Sequence, residues 1–563
     1  MKLVECVPNF SEGRDREKIN SITREIESTP GVKLLDVDPG ESTNRTVVTF
    51  IGTPNGVKEA AFKAIKKAAE VIDMRAHKGA HSRIGATDVC PFVPVSGVTM
   101  EDCVQLAREV AERVARDLAI PVYLYEEAAQ KPERKNLANI RAGEYEGLEE
   151  KLQDPAWAPD FGEAVFNSKA GATVIGAREF LIAYNINLNT REKKLASEIA
   201  LNLRESGRAK RDQEGNILRD AAGNVLKIPG RFRDVKAVGW YIEDYGIAQI
   251  SINFTNYKVS PPHLVFDETV KEAEKLGLRV TGSELVGLIP KEALLMAGRH
   301  YLEKQGKNPG VPEEELIHTA VLSLGLSDVV PFDPQKKIIE NQFGEEGRSL
   351  LRLSLRQFVN EVSLDSPTPG GGSVAALCGA LSAALSAMVA NLTYGKRGYE
   401  NAFEEMKTGA IKAQSLKEEL LRAVDLDTRA FDKVIEAYRL PKTTEDQKKE
   451  KEMAVEEALK EATLVPLEVL KKSLELLELA RAVAVNGNKN SLSDAGVAGL
   501  TAQAAAEGAY FNVRINLPNI RDQKFKTLIK KEAISLKRRG LQTARALKDL
   551  VEKDFNSPGK GQA

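Results

Sequence analysis

Two patterns of apolar and polar positions divide the chain. Up to about Pro334, short β-branched runs alternate with longer stretches whose apolar residues recur every three or four positions. LVECV (3–7), VKLLDV (32–37) and RTVVTFIG (45–52) predict strands bounded by Gly, Pro or Asn. GVKEAAFKAIKKAAEVI (56–72) and MEDCVQLAREVAERVARDLA (100–119) predict helices, and PFVPV (91–95) and PVYLYEE (121–127) return to strand. A second set begins with REFLIAYNINL (178–188). It continues with a helix over 191–205, strands over 235–242 and 247–254, a helix over 264–276, a strand over 278–281 and a helix over 290–303. This predicts an α/β (α+β) half made of two sheet-plus-helix subdomains, residues 1–177 and 178–334. The polar stretch 206–232, with its EGN and AGN turn signals, reads as a surface hairpin or flexible loop without chemistry of its own.

From about Ser354 the grammar changes. Ala, Leu, Glu and Lys dominate at helical spacing, and β-branched runs disappear, which predicts an all-α bundle over 354–563 after a linker over 335–353. A length of 563 residues with 42% hydrophobic suits two to four domains. GGGSVAALCGALSAALSAMVANL (370–392) carries no charge but is mostly Ala, Ser and Gly, so a buried core helix is expected and no membrane span. The N-terminus shows no signal-peptide core. Lys plus Arg number 80 against 81 Asp plus Glu, a balance that argues against a nucleic-acid partner. Cys6, Cys90, Cys103 and Cys378 form no CxxC pair and read as reduced thiols of a cytoplasmic protein.

The densest chemistry in the first half is DMRAHKGAHSRIGATDVCPF (73–92). His77 and His81 are four apart, as in helical zinc pairs. Gly79 lies between them, no glutamate follows His77, and no third ligand is evident, so no metal is expected. A histidine in such a loop can instead remove a proton from a nucleophile, or can simply satisfy loop carbonyls. Asn9, Asp38 and Arg45 fall at strand ends, from which side chains reach an α/β cleft, although Asp38 before Pro39-Gly40 is also an ordinary turn residue.

In the second half, SPTPGGGSVAALCGAL (366–381) runs a Pro/Gly loop into a helix. It reads either as an anion-attracting helix start or as a tight turn for close packing, and it lacks the GK[ST] ending of a nucleotide loop. In AVDLDTRAFDKVIEAYRLPK (423–442), Leu420, Val424, Phe431, Ile435 and Tyr438 make an apolar stripe on which Asp427 falls. Asp425 lies off it and is expected in solvent. A carboxyl on a buried helix face has a raised pKa, which suits a general acid; a structural hydrogen-bond network is the alternative. Asp494 reads as a further polar site group or as a first-turn capping residue.

VECVPNFSEGR, LLDVD with STNRT, the 73–92 stretch, GATVIGAREFLIAYNINL and GSELVGLIP are collinear. Over most of residues 1–330 they resemble the formiminotransferase part of the formimidoyltransferase-cyclodeaminase family. SPTPGGGSVAAL, LTYGKRGY (392–399), the D-x-D-x-x-A-F stretch and GNKNSLSDAGVA (487–498) are similar to its cyclodeaminase part from Ser354 to Leu517, fading in the basic tail. The resemblance implies transfer of a formimidoyl group between tetrahydrofolate and glutamate, then ring closure of 5-formimidoyltetrahydrofolate to 5,10-methenyltetrahydrofolate with loss of ammonia. The resemblance thus implies a bifunctional enzyme of histidine breakdown.

It assigns the catalytic base to His81, taking a proton as the glutamate α-amine attacks, with Asp38 beside it. It assigns folate contact to Gly162, Glu163, Ala164, Val165, Phe166, Asn167, Ser168, Lys169, Ala170 and Gly171, and deaminase proton transfer to Asp427. Arg45 is expected to clamp a substrate carboxylate. The implied partners are tetrahydrofolate, possibly polyglutamylated, and glutamate or formimidoylglutamate. No metal is implied, and a homo-oligomer is expected. The helical part also resembles methenyltetrahydrofolate cyclohydrolases, so hydrolysis or a non-catalytic assembly role stays open for it, as does a formyl donor for the first half.

Overall fold

The computed structural model describes residues 2–41, 44–79, 82–220, 223–243, 245–342 and 349–556. Their contacts form two compact units, residues 1–297 with 320–345, and residues 298–319 with 346–563.

The first unit opens with β1 (Leu3–Cys6), β2 (Asn9–Phe10), α1 (Arg16–Glu27), β3 (Val32–Gly40), β4 (Arg45–Gly52) and α2 (Pro54–Val71). It continues with β5 (Thr87–Ser96), α3 (Met100–Leu118), β6 (Val122–Glu126), the short α4 (Leu137–Arg141) and α5 (Leu148–Gln153), and β7 (Thr173–Ala177). Local signals set the helix starts: Asp15 accepts from the N–H groups of Glu17 and Lys18, and Thr99 and Asp102 close a capping box at α3. The strands form one mixed sheet in the order β1-β4-β2-β5-β7-β6, with β3 also paired to β4. The pairs β5–β7 and β6–β7 are parallel.

Strand alternation divides the work of this sheet. Val4, Cys6, Val48, Phe50, Cys90 and Phe92 point into a core with Ile22 and Ile26 of α1, Ile65 of α2 and Leu106 and Val110 of α3. The opposite face is covered at its β5–β7–β6 end, where Val89, Tyr123, Tyr125 and Val174 pack with Ile140, Leu148 and Leu152. On β3 and β4, Asp36 and Asp38 of that parity are exposed and Arg45, Val47 and Thr49 only partly covered, whereas Leu3 and Glu5 of β1 are buried. Arg134, fully buried, pairs with Asp160 at 2.6 Å, lies over Tyr123 and Trp157, and donates to the carbonyls of Ala156 and Ala158, so it anchors the chain before residue 162.

The second sheet contains β8 (Ile182–Leu188), β11 (Val235–Ile242), β12 (Ile247–Phe254) and β13 (Val280–Val286) in the antiparallel order β11-β12-β8-β13. Helix α6 (Lys193–Leu203) packs on β11 and β12, and α7 (Pro262–Lys275) on β8 and β13. Tyr184, Ile186, Ile250 and Ile252 are buried on one parity. The other carries a polar network. Gln249 donates to Asn187 at 2.8 Å, Asn185 donates to Glu284 at 3.1 Å, and Asn187 donates to Asp328 at 2.9 Å.

Between α6 and β11, β9 (Arg208–Ala209) pairs with β10 (Lys227–Ile228) as a hairpin base. Two similar turns follow one another inside it. Arg211 donates to Gly215 O and Asp212 accepts from Asn216 N; eight residues on, Arg219 donates to Gly223 O and Asp220 accepts from Asn224 N. The N–H groups of Lys210, Leu218 and Leu226 donate in a closed ring to the carbonyls of Leu226, Lys210 and Leu218, respectively. The first unit also holds the start of α8 (Lys291–Lys304), the end of α9 (Glu313–Leu324), α10 (Pro334–Lys337) and α11 (Ile339–Gln342).

The second unit contains α12 (Leu355–Val362), α13 (Gly371–Thr393), α14 (Phe403–Arg439), α15 (Glu445–Asn486), α16 (Leu492–Asn516) and α17 (Gln523–Asn556). Helix α13 packs on α14, α15 and α16, and α17 lies on α15 and α16. Residues 298–319 belong here: Asn391 donates to Gly310 O at 2.9 Å, and Lys407 pairs with Glu303 at 2.6 Å. Helix α13 is long and apolar enough to cross a membrane by length and composition, and 61% of its most apolar window is buried inside the protein.

Candidate active sites

The open face of the first sheet carries the first constellation. Asp38 lies opposite Val47 and Gly40 opposite Arg45, so Asp36, Asp38, Arg45, Val47 and Thr49 share that face. With Glu5 and Val7 they line a cleft of about 940 Å³ that Ala183, Asn253 and Val286 complete from the second sheet. Arg45 is half-buried. Burial lowers its pKa, the Arg141 guanidinium adds to that, and Asp88 and Asp38 oppose it. Glu5, only 4% exposed, has its carboxyl pushed up to about 7 by burial, against the pull of Arg178. Arg178, Lys336 and Lys337 add positive charge to the same cleft.

His77 is placed beside Arg45's neighbour. Its Nε2 lies 2.9 Å from the carbonyl of Asn44, and the Nε of Arg83 donates to its Nδ1 at 3.2 Å. A guanidinium can only donate, so His77 is the neutral tautomer with its proton on Nε2. Burial holds its pKa below the ordinary value, and the Arg83 charge acts in the same direction. The turn from Met74 to Gly79 is not helical, and both ring nitrogens are engaged. The zinc-pair spacing therefore has no helix face to act on, and His77 is a loop-holding residue. His81 lies outside the described residues. Among the described residues, no cluster of His, Cys, Asp and Glu suits a metal ion.

The stretch 162–171 runs along this turn and does not line the cleft. Gly162, Glu163, Ala164 and Val165 are exposed, Val165 at 62%. Phe166 stacks on Tyr145 at 5.5 Å, and the Tyr145 hydroxyl donates to the carbonyl of Ser168. Asn167 donates to Ala119 O and accepts from Ala170 N. Lys169 donates to Glu70 O, while its own carbonyl accepts from Met74 N. At Gly171 (φ +70) a β-carbon would stand 2.2 Å from Ile84 O, so a glycine is needed where this segment meets the end of the histidine turn.

In the helical unit, Asp427 projects from α14 to the start of α13. Helix α13 has no side-chain cap of its own, and the carboxylate sits against its first turn. The Ser373 hydroxyl lies 3.3 Å from Oδ2. Burial raises the Asp427 pKa, and the hydroxyl and backbone of Ser373 pull it back. Asn512 of α16 lines the same spot beside Gly371.

The buried side of α14 differs from the expected stripe. Leu420, Val424, Ala430, Val434 and Ala437 are buried, whereas Tyr438 is 51% exposed. Asp425, expected in solvent, is buried: it accepts from Leu350 N at 2.7 Å and from the Ser349 hydroxyl at 2.6 Å. LTYGKRGY and GNKNSLSDAGVA do meet, through Lys396 to Asn488 at 2.8 Å and Lys489 N to the Tyr399 hydroxyl at 3.1 Å. They meet at the Thr393 end of α13, about 30 Å along that helix from Gly372. Asp494 lies in the first turn of α16.

Sequence reasoning missed Glu5, Arg83, Asp88, Arg141 and Ser373. Arg83 and Asp88 lie within the 73–92 stretch and Ser373 within SPTPGGGSVAALCGAL without standing out there, Glu5 is an acid inside the apolar strand LVECV, and Arg141 carried no local signal.

Three family models match along the chain. "Formiminotransferase domain, N-terminal subdomain" covers residues 3–178, "Formiminotransferase domain" covers 183–343, and "Formiminotransferase-cyclodeaminase" covers 354–535. The formimidoyltransferase-cyclodeaminase of Mus musculus is 47% identical over 527 residues, spanning 93% of this chain and 94% of its own. The glutamate formimidoyltransferase of Thermoplasma acidophilum is 44% identical over 55% of this chain and 95% of its own. The methenyltetrahydrofolate cyclohydrolase of Methylorubrum extorquens is 41% identical over 31% of this chain and 83% of its own. With both parts present in one polypeptide, the chain belongs to the family of bifunctional formimidoyltransferase-cyclodeaminases, transferase and lyase enzymes of histidine degradation.

Proposed function

We propose that the first unit moves the formimidoyl group of N-formimidoyl-L-glutamate to tetrahydrofolate, and that the helical unit closes the product to 5,10-methenyltetrahydrofolate with release of ammonia. The observation that carries the reading is the shared face of Asp38 and Arg45 in the 940 Å³ cleft. There a carboxylate and a guanidinium can orient an amidine and a carboxylate of one substrate. In transfer, a bond forms between N5 of tetrahydrofolate and the formimidoyl carbon, and the bond to the glutamate nitrogen breaks. His81 takes the proton of the attacking nitrogen and returns it to the departing one, a role that serves both directions. Asp38 stabilises the imidazolium, Arg45 holds a glutamate carboxylate, and 162–171 contacts folate. Arg178, Lys336 and Lys337 suit the carboxylates of a folate tail, polyglutamylated or not.

In the helical unit, Asp427 shuttles the proton as nitrogen ten attacks and ammonia leaves. Its raised pKa supports the acid role. Neither reaction is read as using a metal, and the setting is read as cytoplasmic. Exposed Leu381, Met388 and Leu392 on α13 and Val497, Leu500 and Phe511 on α16 support a homo-oligomer that covers these packed helices with a second copy.

The test is a paired assay with formimidoylglutamate and tetrahydrofolate, following ammonia and methenyltetrahydrofolate together. Equal appearance of both supports two working sites. Accumulation of formimidoyltetrahydrofolate without ammonia would return the helical unit to a cyclohydrolase or scaffold. His81→Ala is expected to fold and bind folate while losing transfer, and full transfer in that variant would remove the base assignment.

A further inference from the structure

Between α4 and α5 lies a five-residue loop, Gly143-Glu144-Tyr145-Glu146-Gly147, that no reading above assigns a task. Its base is pinched shut. Gly147 N donates to Gly143 O at 2.8 Å, and a β-carbon on Gly147 would stand 2.8 Å from that oxygen. Gly143 and Glu144 are both left-handed, at φ +88 and +53.

The three side chains between the glycines reach two different walls. Glu144 and Glu146 both bind Arg83, at 2.9 Å to Nη1 from Glu144 and at 2.8 and 2.6 Å to Nη1 and Nη2 from Glu146. The Arg83 side chain is only 7% exposed, so two carboxylates offset one nearly buried guanidinium. Its remaining Nε–H is spent on His77, whose other nitrogen holds Asn44, and Asn44 donates in turn to Lys78 O at 3.0 Å. Tyr145, from between the two acids, goes the other way, stacking on Phe166 and donating to Ser168 O.

We infer that residues 143–147 are a positioning strap for the transferase, with Glu144 and Glu146 setting the histidine turn through Arg83 and Tyr145 separately setting the folate segment. This rests on the assignment of transfer to these walls. None of the three side chains is placed on a reacting atom; each acts through the residue it holds.

The two arms give different kinetic signatures. In the full-length protein, Glu144→Gln with Glu146→Gln keeps the shape of the loop but leaves the Arg83 charge uncompensated. The expected result is a fall in transferase kcat of at least ~tenfold with KM for tetrahydrofolate changed by less than about twofold. Tyr145→Phe keeps the ring stack and loses one hydrogen bond. It should raise that KM roughly three- to tenfold with kcat within about twofold. Hydrogen exchange by mass spectrometry should show loosening at 76–79 and 82–84 in the first variant and at 162–171 in the second. Circular dichroism and thermal unfolding are the folding control, because deamination of supplied 5-formimidoyltetrahydrofolate reports on the helical unit alone.

Equal losses of kcat and KM in both variants, or loosening of both segments by either, would overturn the division of labour. Selective loosening with unchanged transfer would instead overturn the assignment of the site to these walls. The mild Tyr145→Phe change keeps the test decisive if the double variant fails to fold.

Discussion

The α-carbon of Gly372 faces the carboxylate of Asp427 so closely that a β-carbon there would stand 2.0 Å from Oδ1 and 2.4 Å from Oδ2. The GGGS run at the start of α13 is therefore shaped by the acid that faces it as well as by helix packing. Gly372→Ala should push the carboxylate out of its place without touching the first unit. We expect deamination to fall at least ~100-fold, comparable to Asp427→Asn and in the range of losing a positioned acid, with transfer within about twofold. Retained deamination in Gly372→Ala would show that the acid does not work from this position.

Asp425 and Asp427, two residues apart on α14, should respond differently. Asp425 holds Leu350 and Ser349 through charge-assisted hydrogen bonds in a buried setting. Asp425→Asn should cost about 1–3 kcal/mol in denaturant unfolding while the folded fraction keeps its deaminase kcat. A catalytic loss at unchanged stability would reverse the two roles.

Glu5 gives a pH signature. Its carboxyl moves from an ordinary 4.5 when unfolded to about 7 in the fold, so between those values the native state binds more protons than the unfolded chain. The contribution of Glu5 to stability is then fullest below about pH 4.5 and is lost as pH rises through about 7, by up to about 3 kcal/mol in all. Glu5→Gln removes this decline. Differential scanning calorimetry should show the variant gaining more Tm over the parent at pH 8 than at pH 5.5; a gain independent of pH would exclude a titrating Glu5.

Arg45→Lys keeps a positive charge in the cleft but loses the planar fork. KM for formimidoylglutamate should rise by roughly tenfold with a smaller change in KM for tetrahydrofolate. The opposite ratio would move Arg45 from the amino-acid substrate to folate.

Much of the frame was legible because strand and helix periods are local. The strands 45–52, 235–242 and 247–254 lie where alternation put them. β2 and β7 escaped notice: one is two residues long, and the other, TVIGA, is short and contains Gly. The α14 stripe departs from the pattern of large residues because in an Ala-rich bundle Ala430 and Ala437 fit inward and Tyr438 does not. Asp425 is buried because Ser349 and Leu350, some 75 positions earlier, bring donors to it, and no helix wheel can show that. His77 is the same kind of case: its fate is decided by Arg83 and Asn44, not by its spacing to His81.

The hairpin between α6 and β11 has a property of its own. Its two turns draw on contacts within each eight-residue stretch, the ring through Lys210, Leu218 and Leu226 closes on itself, and the strands that enter and leave it are already side by side. Such a piece is portable above its base. Its base is tied to α6, with Arg208 pairing with Glu198 at 2.6 Å and donating to Asn202, so the part that can be shortened or exchanged with little demand on the host is the pair of turns beyond β9 and β10.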